Sequence, residues 1–117
     1  MITELDNNKF KQILFDIDED GNMTYKRSKP SVIEFYVTWC PHCQAMAPRY
    51  TEVSNDVDGK VECYRVELEQ HPQIGEIFGI NGFPTFLFVQ PDGGLQETEG
   101  EMSRNDLREL IRECFHV

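Results

Sequence analysis

Two rhythms of apolar residues run through this chain. Ser31 to Thr38 (SVIEFYVT) and Thr85 to Val89 (TFLFV) are dense in β-branched and aromatic residues, the composition of strands buried on both faces. Val61 to Leu68 alternates well enough for another strand. From Pro41 the period changes: Met46, Tyr50, Val53 and Val57 recur on one side of a helix that Gly59 stops. Pro48 removes one backbone donor inside it and predicts a kink. Pro72 to Phe78 reads as a short helix weakened by Gly75. Pro91-Asp92-Gly93-Gly94 is a turn into a polar strand over Leu95 to Glu99. Ser103 caps a last helix with Leu107, Leu110, Ile111 and Cys114 at helical spacing. At the other end, Asp6 caps a short helix carrying Phe10, Ile13 and Leu14, and a polar, turn-rich stretch runs from Asp16 to Pro30. The order α, β, α, β, α, β, β, α predicts an α/β mixed sheet with helices on both faces. With no repeat, linker or low-complexity tract, residues 1–117 read as one domain.

Composition narrows the partners. The net charge is −10 and the pI near 4.6, so phosphate backbones and anionic lipid heads are repelled; neither nucleic acid nor a membrane surface is an expected partner. No apolar run approaches the ~18 residues needed to span a bilayer. The opening Met1 to Asn8 lacks the basic and apolar regions of a signal peptide. The expected location is therefore the cytoplasm, or the periplasm or exterior for a chain whose leader was removed.

Four cysteines, Cys40, Cys43, Cys63 and Cys114, are too few and too unevenly spaced for a secreted disulfide scaffold. Cys40 and Cys43 are different, because two intervening residues at a helix start bring two Cα atoms within disulfide reach. The strand before them places Cys40 at the helix N-terminus, where free N–H groups and the positive dipole end favour a thiolate. Pro41 suits the first turn, and a protonated His42 adds a neighbouring positive charge. Cys43, one turn further in, is better buried and suits a resolving role. Glu34 is the oddity of the apolar strand: a carboxylate buried there is costly unless paired or protonated, and its pKa should rise.

Together these segments resemble the thioredoxin family over nearly the whole chain, from about Asp6 to Val117. Glu34 to Cys43 resembles the family's strand and active-site segment, and Pro48 its kink proline. Gly79-Ile80-Asn81-Gly82-Phe83-Pro84-Thr85 is similar to the loop whose cis-proline faces the disulfide, and Gly93 and Gly100 match family glycines. The resemblance implies the thioredoxin fold, with a central mixed sheet of four to five strands. It implies that Cys40 attacks a substrate disulfide and Cys43 resolves the mixed disulfide. Trp39, Gly82, Phe83, Pro84 and Gly100 would receive the substrate backbone. Glu34 stands where the family carries a buried aspartate, and Arg65 where it carries a lysine partner. The expected activity is reduction of protein disulfides by a monomer recharged by a thioredoxin-reductase-like donor, with no cofactor beyond the Cys40–Cys43 couple. The Pro-His dipeptide, similar to that of periplasmic oxidases, keeps a disulfide oxidase or isomerase as an alternative; a non-enzymatic adaptor is another.

Other features read more plainly. Half a zinc site at Cys40 and Cys43 lacks a second cysteine pair, so no metal is expected. Asp16-x-Asp18-x-Asp20-Gly21 imitates a calcium loop, but its twelfth position is Arg27, and it reads as a turn. Cys63 and Cys114 read as small apolar residues, and Glu97, Glu99 and Glu101 as a solvated edge.

Overall fold

The computed structural model describes residues 1–117. Its centre is β4 (Ser31–Tyr36), in which every residue but the last is buried, as its unbroken apolar run requires. On one side β4 pairs in parallel with β5 (Glu62–Glu67), which pairs in parallel with β1 (Ile2–Leu5). On the other it pairs antiparallel with β6 (Thr85–Val89), which pairs with β7 (Leu95–Glu99). The sheet is thus five-stranded and mixed, ordered β1-β5-β4-β6-β7.

Alternation along β4 splits the core into two layers. Ile33 and Phe35 face one, which holds Phe10, Leu14, Phe15 and Ile74. Val32 faces the other, packed against Met46, Tyr50 and Val53 of α2 (Pro41–Asp56) and Leu107 and Ile111 of α4 (Arg104–Phe115). Ile74 belongs to the short α3 (Pro72–Ile77). Ser103 caps α4 by accepting from the Asp106 N–H at 3.1 Å, and Pro48 lies inside α2, as the sequence predicts. No helix is long and apolar enough to cross a membrane.

The amino-terminal third differs from expectation in three ways. First, Ile2–Leu5 is a strand ahead of the helix with which the predicted order began; only Leu5 is fully buried there, so no apolar pattern announces it. Second, Asp6 does cap a helix, but α1 (Asn7–Lys9) lasts three residues and passes into a π-helical turn over Phe10–Leu14. The wider turn buries Phe10 and Leu14 together. Third, the stretch after Asp16 holds a hairpin of β2 (Phe15–Ile17) and β3 (Met23–Tyr25). The Asp18 carboxylate accepts the N–H groups of Asp20 and Asn22 at 2.9 and 2.8 Å, and Gly21 adopts φ +85°. The acidic motif is therefore a turn, as read.

One buried hydroxyl couples α2 to the sheet. Tyr50 Oη accepts the Tyr64 N–H at 3.1 Å and lies 3.0 and 2.9 Å from the carbonyls of Val32 and Tyr64. Tyr50→Phe keeps the ring and removes these partners. Denaturant unfolding is expected to show a loss of about 1–3 kcal/mol with an unchanged m-value; a loss of a few tenths would mean that the hydroxyl is not holding the layers together.

Candidate active site

Past Tyr36 the chain turns through Val37 to Trp39 and reaches Cys40, the N-cap of α2, in extended conformation. Pro41 occupies the first turn, where its missing N–H costs nothing. The Gln44 side chain donates to the Thr38 carbonyl at 2.9 Å and braces the turn. Cys40 and Cys43 fall one helical turn apart and both are unbridged thiols, packed with Val37 and Phe83. Cys40 keeps 5% of its surface exposed and Cys43 1%, so Cys43 is the better buried of the two but both thiols are covered. Burial pushes the Cys43 thiol up to about 11, with the Cys40 sulfur and the Glu34 charge adding to the effect.

Around this pair the structure gathers most of the residues picked from sequence. Trp39 is 58% exposed, its indole N–H held by Glu69 at 2.9 Å and its ring edge-on to Phe83 at 5.4 Å. The Phe83–Pro84 bond is cis. Thr85 Oγ1 donates to the Gly82 carbonyl at 2.7 Å, and the Gly100 N–H donates to the Pro84 carbonyl at 2.8 Å. Gly100 has φ +103°, which a side-chain-bearing residue rarely adopts. A side chain at Gly82 would run into Glu99. An open groove of about 660 Å³ runs beside Pro84, lined by His42, Arg49, Phe83, Gly100, Glu101 and Arg104 among others. Pro48 lines neither the groove nor the thiol cluster.

Behind the thiols lies a charged row. Glu34, Arg65 and Glu4 stand directly opposite one another on β4, β5 and β1. Arg65 donates from Nε to Glu34 Oε1 at 2.8 Å and from Nη1 to Glu4 Oε1 at 3.3 Å, and its guanidinium lies 3.7 Å from the centre of the Tyr36 ring. Tyr36 Oη closes the set by donating to Glu4 at 3.0 Å. Glu34 is wholly buried, and its Oε2 has no hydrogen-bond partner. Burial raises its pKa to about 7, against the opposing pull of Arg65. Arg65 thus pairs with Glu34 across the two strands, whereas Glu4 was invisible because β1 was.

The acidic edge also divides. Glu101 is not a merely solvated residue: Oε1 lies 2.8 Å from His42 Nδ1, and Oε2 accepts from Arg49 Nη1 at 2.8 Å. Nothing local in the sequence joins residues this far apart. Cys63 is buried and its thiol is pushed up to about 11 by burial, while Cys114 donates to Gln96 Oε1 at 3.2 Å; no bridge joins them. No group of three or more His, Cys, Asp or Glu side chains stands in a position to hold a metal ion.

Comparison with known proteins agrees with this geometry. The thioredoxin family profile matches residues 3–113. A thioredoxin of Borreliella burgdorferi is 24% identical over 115 residues, covering 98% of each chain. The protein disulfide-isomerase tigA of Aspergillus niger is 34% identical over 92 residues, 76% of this chain but only 25% of the isomerase. Chloroplastic thioredoxin z shares the fold, with a TM-score of 0.77 at 20% identity over 96% of this chain and 92% of that one. The matched span, the fold and the paired thiols agree: the chain belongs to the thioredoxin family of thiol–disulfide oxidoreductases.

Proposed function

We propose that this protein reduces disulfides in other proteins, with Cys40 as nucleophile and Cys43 as resolving thiol. The observation that carries this is the asymmetry of the pair. Cys40 is the N-cap of α2 and keeps a little of its surface exposed, packed against Phe83, whereas Cys43 lies one turn inside the helix, more fully buried and with a raised pKa. The Cys40 thiolate attacks one substrate sulfur, forming a mixed disulfide and expelling the other sulfur as thiolate. Cys43 then gives up its proton and attacks the Cys40 sulfur. That breaks the mixed disulfide, releases the second substrate thiol and leaves Cys40–Cys43 oxidised. Two electrons pass to the substrate. A reductase-like dithiol donor returns them.

Proton transfer falls to Glu34. Cys43 needs a base because a thiol with a pKa near 11 is almost wholly protonated at neutral pH. Glu34 has a free oxygen, a pKa near that pH and a charge felt at Cys43. Arg65 holds the other oxygen and fixes the carboxyl. Trp39, Phe83, Pro84, Gly82 and Gly100 shape the surface against which a substrate segment lies.

The rival reading, an oxidase or isomerase, is favoured by Pro41-His42 and separated by the reduction potential. A potential at the oxidising end of the family, with no reduction of insulin, would remove the reductant.

Cys43→Ser is expected to accumulate mixed disulfides on Cys40, visible as non-reducing gel shifts that dithiothreitol reverses. Cys40→Ser is expected to abolish exchange, and unchanged exchange would instead support an adaptor with incidental thiols.

Glu34 predicts a pH signature. Its folded pKa of about 7 exceeds the ordinary 4.5, so the folded protein holds this proton more tightly and loses stability as pH rises through that window. Glu34→Gln cannot ionise. Its stability relative to the parent is expected to rise by on the order of 2–3 kcal/mol between pH 4 and pH 8 in urea unfolding. A difference independent of pH would show that Glu34 is not a raised carboxyl.

A further inference from the structure

His42 is the second residue of α2, two positions after the nucleophile, and its side chain is 69% exposed. A ring so exposed is fixed only by what it bonds, and its one protein partner is Glu101 through Nδ1 at 2.8 Å. Glu101 is itself anchored. Arg49 Nη1 donates to its second oxygen at 2.8 Å and to the Met102 carbonyl at 2.9 Å. The preceding Gly100 is tied to Pro84 by the 2.8 Å bond between its N–H and the proline carbonyl. One carboxylate therefore links the proline loop to the first turn of the nucleophile's helix. The remaining charged side chain of the groove, Arg104, is engaged elsewhere, by Glu52 and Asp56.

We propose that Glu101 is a positioning residue that binds the His42 imidazole and offsets its charge, and so keeps the Cys40–Cys43 couple more reducing than a Pro-His dipeptide with an unpartnered histidine. The inference rests on Cys40 and Cys43 forming the exchanging couple. Its reasoning is electrostatic. A cation beside a helix N-terminus favours the thiolate, hence the dithiol form, hence a more oxidising couple. Glu101 counters that cation at contact distance. It also counters Arg49, the other cation facing the same carboxyl. Hydrogen bonds from His42 and Arg49 hold Glu101 below the usual carboxylate range, so it stays charged at neutral pH. Neutralising Glu101 removes the one negative charge in contact with both cations and leaves the His42 ring without its one protein partner.

The test is the equilibrium of the 117-residue chain with reduced and oxidised glutathione at pH 7, read by alkylation and mass spectrometry. Glu101→Gln is expected to shift the equilibrium toward the dithiol by about threefold or more, and the shift is expected to fall by at least half when the same change is made in a His42→Ala background, where the carboxylate faces only Arg49. An equilibrium unchanged by Glu101→Gln would overturn the proposal. A shift of equal size without His42 would also overturn it, because the charge would then act through Arg49 or through the loop. Glu101→Asp serves as the conservative variant; if it behaves like Gln at equal thermal stability, the carboxylate is not the agent. Failure of the Cys43→Ser trap would strike at the exchange reaction itself. An intact trap with an unmoved equilibrium would strike only at Glu101.

Discussion

Burial of β4 on both faces is the constraint from which the site follows. A strand in that position must be almost wholly apolar, and where it ends at the edge of the sheet the chain must leave it through a short connecting segment. That segment is Val37 to Cys40, and the helix that begins there packs back across the sheet through Met46, Tyr50 and Val53. Cys40 is thus delivered to a helix N-terminus by the same packing that stabilises the domain. Its partner thiol, one turn on, is turned inward by the helix period.

The one polar intrusion in β4 is Glu34, and it shows how the fold makes an expensive group tolerable. Its neighbours on the adjacent strand and the one beyond place a guanidinium and then a second carboxylate in a single row, so the charge reaches the surface in three steps. The row satisfies one oxygen and leaves the other free. A fully paired carboxylate would be a poor base, and an unpaired one would be too costly to bury. Holding one oxygen only is compatible with both folding and proton transfer.

Much of this was legible in the chain. Long apolar runs define β4 and β6, helical spacing defines α2 and α4, and the Asp6 and Ser103 caps are where short polar residues before periodic segments place them. The thiol pair, Trp39 and the Phe83–Pro84 loop meet as the family resemblance implied. What escaped was held by tertiary contacts. β1 has a single fully buried residue, the β2–β3 hairpin has strands of three residues, and the π-helical turn arises from packing Phe10 and Leu14 together. Glu4 and Glu101 escaped for the same reason, since each acquires its partners only when distant segments meet. The tight cover over Cys40 likewise depends on Phe83, far along the chain.

The central claim is the division of labour between the two thiols, and competition for an alkylating agent tests it most directly. Reduced protein given limiting iodoacetamide at pH 7 should carry the label on Cys40 at least about tenfold ahead of Cys43, read by peptide mass spectrometry after a timed quench. Equal labelling, or faster labelling at Cys43, would contradict the account.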